Sequence, residues 1–365
     1  MLAEEGKLSL DDPVGKYVPG LTEGDRITIR QILSHTSGYS DFWPQDYVFP
    51  DMRKPGSAQA ILDRWAKAKL SFEPGTDWQY SNTGFVLAGV IVEKVSGEKL
   101  MQFLGEHIFQ PLHMTGVVDF DNGQMTAADA KPYSRFALGP PRPAAEMGPG
   151  WMLGAGEVAM RPEDLALWDI SEINRSLLSA KSYAAQTTSV LLKSGRDTNY
   201  GLGLTVRTVH GRRQLEHGGE VSGFTSENRI YPDDRVAIVV LTNSDYSAGA
   251  ARDVADGIEA VLFKDPDKSR NARALFDALR QGKLDRAKLT ANANDYFSPQ
   301  AIADFKDSLS ALGEPKGFKL LNSTLRGGMT AEVYEVDYAT RKLQIVLRAM
   351  PDGKIEQFMV YPMAE

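Results

Sequence analysis

Apolar positions at helical spacing dominate the first half of this chain and give way to strict alternation near residue 199. The clearest helical stretch carries apolar residues at Phe85, Leu87, Ala88, Val90, Ile91 and Val95 and reads as a buried helix, with Gly97 just past its end. Ahead of it stands Pro74-Gly75, a turn signal, because Pro presets φ and Gly accepts the positive φ of a type II turn. Between turn and helix lies Tyr80-Ser81-Asn82. Further helices are expected over 27–37, entered from Thr28, over 57–70 with Ser57 as N-cap, and over 162–174. In the last, Pro162 suits the first position, and Glu163 and Asp164 suit the first turn. Met1 to Gly6 reads as the final turn of a helix stopped by glycine. Residues 39–56 and 119–150 carry no period and read as loops.

From Asn199 the period is two. Tyr200 to Val209, a turn at His210-Gly211, and Arg213 to Gly219 form one expected hairpin. Glu227 to Asn243, turning at Pro232-Asp233-Asp234, forms a second, and Ala250 to Phe263 is a helix to pack on the sheet. A polar linker is expected at 264–272. Beyond it the pattern predicts helices at 271–281, 285–292 and 298–311, then strands at 317–325, 329–337, 341–349 and 355–361. Helices followed by a four-stranded meander imply a small α+β accessory domain at 273–365.

Composition narrows the function. The 365 residues carry a net charge of −7, so a surface for nucleic-acid phosphates is not expected. The run from Val236 to Leu241 is strand-sized, and no apolar run reaches the ~20 residues of a membrane helix. The absence of cysteine excludes disulfides, thiolate metal sites and a cysteine nucleophile. The N-terminus lacks the basic segment and apolar run of a secretory signal. No His-Glu-x-x-His and no clustered His/Asp set is present, so neither metal nor cofactor is expected. Gly154-Ala-Gly156 matches part of a dinucleotide fingerprint, but no strand precedes it, and a glycine turn explains it better.

The chemistry-bearing residues are Tyr80 and Asn82, two apart on the rigid lead-in to a buried helix, and His217-Gly218-Gly219 on a strand. His35 reads as a residue that fixes its turn by hydrogen bonds, and His107 and His113 as helix-end or surface histidines. The Tyr80 stretch, PGTDWQYSNTGFVLAGVIVEKVSG, strongly resembles the Tyr-x-Asn segment of the serine β-lactamase and penicillin-binding-protein superfamily. GKLSLDDPVGKYVP, ITIRQILSHTSG, EDLALWD, NYGLGL and HGGEVSGFTSENRIYPDDRVAIVVLTN resemble the same branch, in the expected order, from about Leu2 to Phe263. The resemblance is to class C-type β-lactamases, D-Ala-D-Ala peptidases and related esterases.

The resemblance implies an α/β (α+β) β-lactamase-like fold over 1–263, an antiparallel sheet flanked by helices with a mostly helical insert at 28–195. It implies a serine hydrolase working through an acyl-enzyme on an ester, amide or D-amino-acid peptide. The nucleophile and its proton acceptor, Ser-x-x-Lys, are expected upstream of Leu2 and thus outside this chain, which as given is expected to be inactive. Ser96-Gly-Glu-Lys99 is the one literal match and falls at the wrong end of a helix. In the matching positions Tyr80 is the proton relay, Asn82 and His217 place the substrate, Gly218 and Gly219 let it approach, and the Glu220 backbone N–H completes the oxyanion hole. Many relatives carry Lys-Thr-Gly where this chain has His217-Gly218-Gly219. Exchanging a permanent cation for histidine shifts the expectation from β-lactamase toward esterase or peptidase. The resemblance also implies a periplasmic or secreted protein, a small-molecule or peptide substrate, and no nucleic-acid partner. The rival reading is a non-catalytic homologue whose cleft binds a peptide or peptidoglycan-like ligand. The last ~95 residues vaguely resemble cystatin-like or NTF2-like accessory domains. Lacking its first strands and nucleophile helix, the chain is expected to expose an apolar face and to aggregate or fold poorly.

Overall fold

The structure, a computed structural model, describes residues 1–363 apart from Asp46, Gln124, Met125, Ala127, His210, Ser247, Ala248, Lys264 and Asp265. At 266–270, 325 and 326 it describes the backbone alone. The chain divides into two compact units, Met1–Val261 and Leu262–Glu365.

The first unit is built around helix α2, Asn82–Ser96, which buries Val86, Leu87 and Ile91 and ends on Gly97 in the left-handed region at φ 82°. Around it pack Ile27, Ile32, Phe42, Met52, Ile61, Leu62 and Trp151. The helix expected over 27–37 is shorter, α1 at Ile29–Leu33. Thr28 opens it with a reciprocal cap in which Gln31 answers Thr28. Ser57 caps the helix after it, as the sequence suggests, accepting from the Ala60 N–H. Met1 to Gly6 forms a single turn, with Glu5 N–H bonded to Met1 C=O, rather than a described helix. Helix α3, Pro162–Asn174, has the expected bounds.

The sheet is an antiparallel meander of β1 (Thr205–Val209), β2 (Arg212–Val221), β3 (Phe224–Tyr231) and β4 (Val236–Thr242). The first residue of the expected His210-Gly211 turn lies outside the described residues. Helix α3 packs on β3 and β4. Helix α4, Ala250–Leu262, is tied to the sheet by Arg229 of β3, which donates to Asp256 at 2.6 Å and Glu259 at 2.9 Å. Val254, Ile258, Val261 and Leu262 form an exposed apolar stripe along α4.

Pairing of β2 with β1 begins at Thr205–Glu216, whereas its pairing with β3 continues to Val221–Phe224. His217 to Val221 thus runs on past the end of β1. A two-residue loop makes Val221–Phe224 a hydrogen-bonded pair, and antiparallel pairs alternate from there. Gly218 and Glu220 therefore turn their N–H and C=O away from β3, toward the side that β1 does not reach.

The second unit packs helices α5 (Pro266–Arg280), α6 (Ala291–Tyr296) and α7 (Pro299–Ser310) on a meander of β5 (Gly317–Arg326), β6 (Met329–Asp337), β7 (Lys342–Ala349) and β8 (Ile355–Pro362). Phe276, Phe297, Tyr334, Ile345 and Phe358 are buried in its core. Two expectations fail here. The linker placed at 264–272 is helical from Pro266, because proline at a first helical position loses no bond and its φ is already set. The helix placed at 285–292 is a short turn at Arg286–Lys288 capped by Asp285, then α6 capped by Thr290. Two side-chain caps five residues apart stop one helix and start another.

Candidate active site

The site begins with two chain segments stitched side by side. Gly75 N–H donates to Thr36 C=O at 2.8 Å, Gln79 N–H to His35 C=O at 3.0 Å, and Ser71 N–H to Gly38 C=O at 2.8 Å. Gly38 sits at φ 84°, where a Cβ would run into the Phe72 carbonyl, so glycine is required. His35, also at positive φ (58°), is buried, and its Nδ1 accepts from Ser81 N–H at 3.1 Å. The turn residue thus holds the Tyr80 segment with both its carbonyl and its ring. The hydrogen-bonding role expected of His35 is found, but one of its partners is the site itself.

Tyr80 packs on the His35 ring with centroids 4.2 Å apart. Its hydroxyl is pushed up to about 12, first by burial and then by the Asp41 charge, so at neutral pH it is a phenol that holds its proton. Asn82 is the first residue of α2. Asp41 caps that helix from a distant loop: Oδ1 accepts the Asn82 backbone N–H at 3.0 Å, and Oδ2 accepts its side-chain amide at 3.2 Å. A carboxylate only accepts, so the Asn82 NH2 faces Asp41 and its Oδ1 remains for other partners. Burial raises the pKa of Asp41 against these bonds.

His217 of β2 lies 6.1 Å from Tyr80 between ring centroids, and its Nε2 is 3.0 Å from the Tyr200 hydroxyl. The same hydroxyl is 3.2 Å from His35 Nε2. Burial lowers the pKa of His217 and takes His35 down to about 3, the latter helped by His217, so both rings are neutral at pH 7. Gly218 and Gly219 are exposed; a Cβ on Gly219 would stand 2.6 Å from Ser226 Oγ.

Tyr80, Asn82, His217, Gly218, Gly219 and Glu220 all line one open cleft of about 2,130 Å³, and Asp41 lies among them. A smaller cavity of about 310 Å³ adjoins at Trp78, Tyr200 and Arg252. The sequence singled out the first six. It missed His35 as a site residue, Asp41, Tyr200 and Arg252, although LSHTSG and NYG carried the first and third. Ser96 is excluded: its hydroxyl is spent on Val92 C=O at 2.7 Å, at the far end of α2 and about 21 Å from Asn82. Among the described residues the one group with metal-ligand spacing is Glu98, Glu106 and His107, also beyond that end of the helix.

The fold and its neighbours are those of the serine β-lactamase and penicillin-binding-protein superfamily, whose members here are peptidases and amidases that act as serine hydrolases. The beta-lactamase family model matches residues 1–263, and the chain belongs to that family. Penicillin-binding protein 4* of Bacillus subtilis (strain 168) is 27% identical over 281 residues, covering 73% of this chain and 62% of that protein. The D-aminopeptidase of Brucella anthropi is 26% identical over 291 residues, 74% of this chain and 51% of that one. The chain thus spans between 51% and 62% of the length of these curated relatives. The crystal structure of a D-stereospecific amidohydrolase from Streptomyces sp. matches with a TM-score of 0.63 at 28% identity, over 71% of this chain and 80% of that one. No described helix is long and apolar enough to cross a membrane.

Proposed function

We propose that the cleft is the substrate-binding and proton-transfer half of a serine-hydrolase centre, working through an acyl-enzyme on an amide, ester or D-amino-acid peptide. The observation that carries this is the convergence of Tyr80, Asn82 and the β2 edge on one cleft, with Asn82 held by Asp41, Tyr80 packed on His35 and His217 bonded to Tyr200. The nucleophilic Ser and its Lys partner are supplied from upstream of Leu2. A lysine cation beside Tyr80 would favour the phenolate and let it take the proton of the attacking serine, then pass it to the leaving group. Asn82 Oδ1 accepts from the substrate amide. Glu220 N–H, turned to the side that β1 leaves open, donates to the oxyanion.

The substrate class follows from the lining. Trp43, Tyr47 and Phe136 line the cleft, and Tyr47 and Phe136 are well exposed at 66% and 83%. They suit an apolar or aromatic side chain on the acyl group. The likeness to a D-aminopeptidase and a D-stereospecific amidohydrolase supports amide substrates with a D-residue. By the same likeness we propose an exported protein. The test is hydrolysis of D-phenylalanine p-nitroanilide, its L-isomer and a penicillin by the chain carrying its upstream residues. Turnover of the D-anilide above both others is expected. The alternative, a cleft that binds without reacting, draws on Tyr80 holding its proton up to about 12. Binding of D-phenylalanine amide with no turnover of any of the three would establish it instead.

A further inference from the structure

Tyr200 joins buried His35 to half-buried His217 of the cleft, and the direction of its hydrogen bonds follows from one backbone amide. Ser81 N–H donates to His35 Nδ1, so that nitrogen carries no proton and Nε2 carries it. His35 Nε2–H therefore donates to the Tyr200 oxygen, 3.2 Å away. The buried Tyr200 hydroxyl keeps its own proton, and the acceptor it meets is His217 Nε2 at 3.0 Å. A donor at Nε2 places the ring proton of His217 on Nδ1.

We infer that Tyr200 is a positioning residue which, through the chain from Ser81 N–H to His35 to Tyr200 to His217, holds His217 neutral with its proton on Nδ1. The inference rests on reading the cleft as a hydrolase site and adds to it: the β2 edge meets substrate with an uncharged donor, suited to an amide or ester carbonyl. A free carboxylate gains no ion pair from His217. The groups around the ring agree. Glu216 and Glu227, the carboxylates that would favour an imidazolium, are each held by an arginine. Arg207 bonds Glu216, and Arg229 bonds Glu227 at 2.7 Å. Tyr80 and Trp78 add no charge; burial, the largest influence, lowers the pKa of His217 against a backbone hydrogen bond at Gly218 and the charges of Glu216 and Glu227.

The test is long-range 15N–1H correlation of the histidine rings between pH 5 and 8, with the five histidines assigned by single His→Gln variants. His35 is expected as the Nε2–H form, uncharged throughout, and His217 as the Nδ1–H form at pH 7. In Tyr200→Phe, His217 should lose its single tautomer and titrate higher than in the parent protein, while His35 keeps a bare Nδ1. A proton on His217 Nε2 in the parent protein overturns the inference, as does an unchanged His217 in a folded Tyr200→Phe. The parent spectrum decides even if that variant fails to fold. Failure of the hydrolase reading would show as absent turnover and would leave the tautomers as they are.

Discussion

Tyr80 and Asn82 depend on partners that differ in kind. Tyr80 is supported by packing on His35, and nothing bonded to it by the described residues prepares it to lose a proton. In the proposed mechanism its work depends on the lysine assigned to the Ser-x-x-Lys motif, and Tyr80→Phe should cut kcat by roughly 10²–10⁴ with little change in KM. Steady-state kinetics on the D-anilide measures this; an equal loss in a variant that has lost its cooperative melt would not count. Asn82 depends on one carboxylate. In Asp41→Asn the new amide can still cap α2 through its oxygen, so the melting point should hold to within about 1 kcal/mol of stability. The second contact then sets two NH2 groups face to face, and one amide must turn over. The expected result is at least about a tenfold loss in kcat/KM at unchanged fold, the worth of one hydrogen bond. This residue was out of reach of the sequence. The bonds that matter join Asp41 to Asn82 across 41 positions and His35 to Tyr200 across 165, and no local pattern encodes such pairs.

At the scale of elements, patterning served well where one face is apolar and poorly where burial is polar. Strands β3 and β4 largely follow their period, whereas β2 buries Gln214, Leu215 and Glu216 in succession; Tyr-Ser-Asn leads into α2 and His-Gly-Gly lies on β2, where expected. Helix α3 has the expected bounds but buries Asp164, Asp169, Ser171 and Glu172 while leaving Ile170 half exposed. Amphipathicity alone assigns that face the wrong way round. The split of 285–292 and the helical start at Pro266 turn on caps, which act within a residue or two and are blurred in any windowed reading. The glycines separate conformational from steric need. Gly97→Ala meets open space and should cost ~1 kcal/mol, the strain of a left-handed residue alone. Gly38→Ala must also displace the Phe72 carbonyl, so it should cost more and loosen the Tyr80 segment. Denaturant melts of the two variants test the order, and equal losses would mean that the stitching of 35–38 to 71–81 is not tight.

Three buried carboxyls give the first unit a pH dependence of unusual sign. Burial pushes the carboxyls of Asp169, Glu172 and Glu157 up to about 7. The Asp169 charge adds to this at Glu172, as do Asp119, Asp121 and Glu93 at Glu157. In the unfolded chain such groups ionise near pH 4. Between pH 4 and 7 the folded protein therefore holds protons that unfolding releases, and their contribution to stability is lost as pH rises through 7. Buried His35 and half-buried His217, which the unfolded chain protonates below about pH 6.5, contribute the opposite slope there, so the melting temperature should fall from pH 6.5 to 8. Asp169→Asn should flatten the fall and gain about 2 kcal/mol at pH 8. A melting temperature that rises over this range would contradict it. The change of pattern after residue 263 falls beside the division into two compact units at Val261 and Leu262.

The central claim is that Tyr80, Asn82 and the β2 edge serve an acyl-enzyme formed on a serine upstream of Leu2. Intact mass after treatment with a fluorophosphonate tests it most directly, on these 365 residues and on the chain extended by its upstream residues. The account predicts no adduct on the former. On the latter it predicts a single adduct, on the Ser of a Ser-x-x-Lys, formed much more slowly in Tyr80→Phe. An adduct on a serine within the 365 residues, or none on the extended chain, would contradict it.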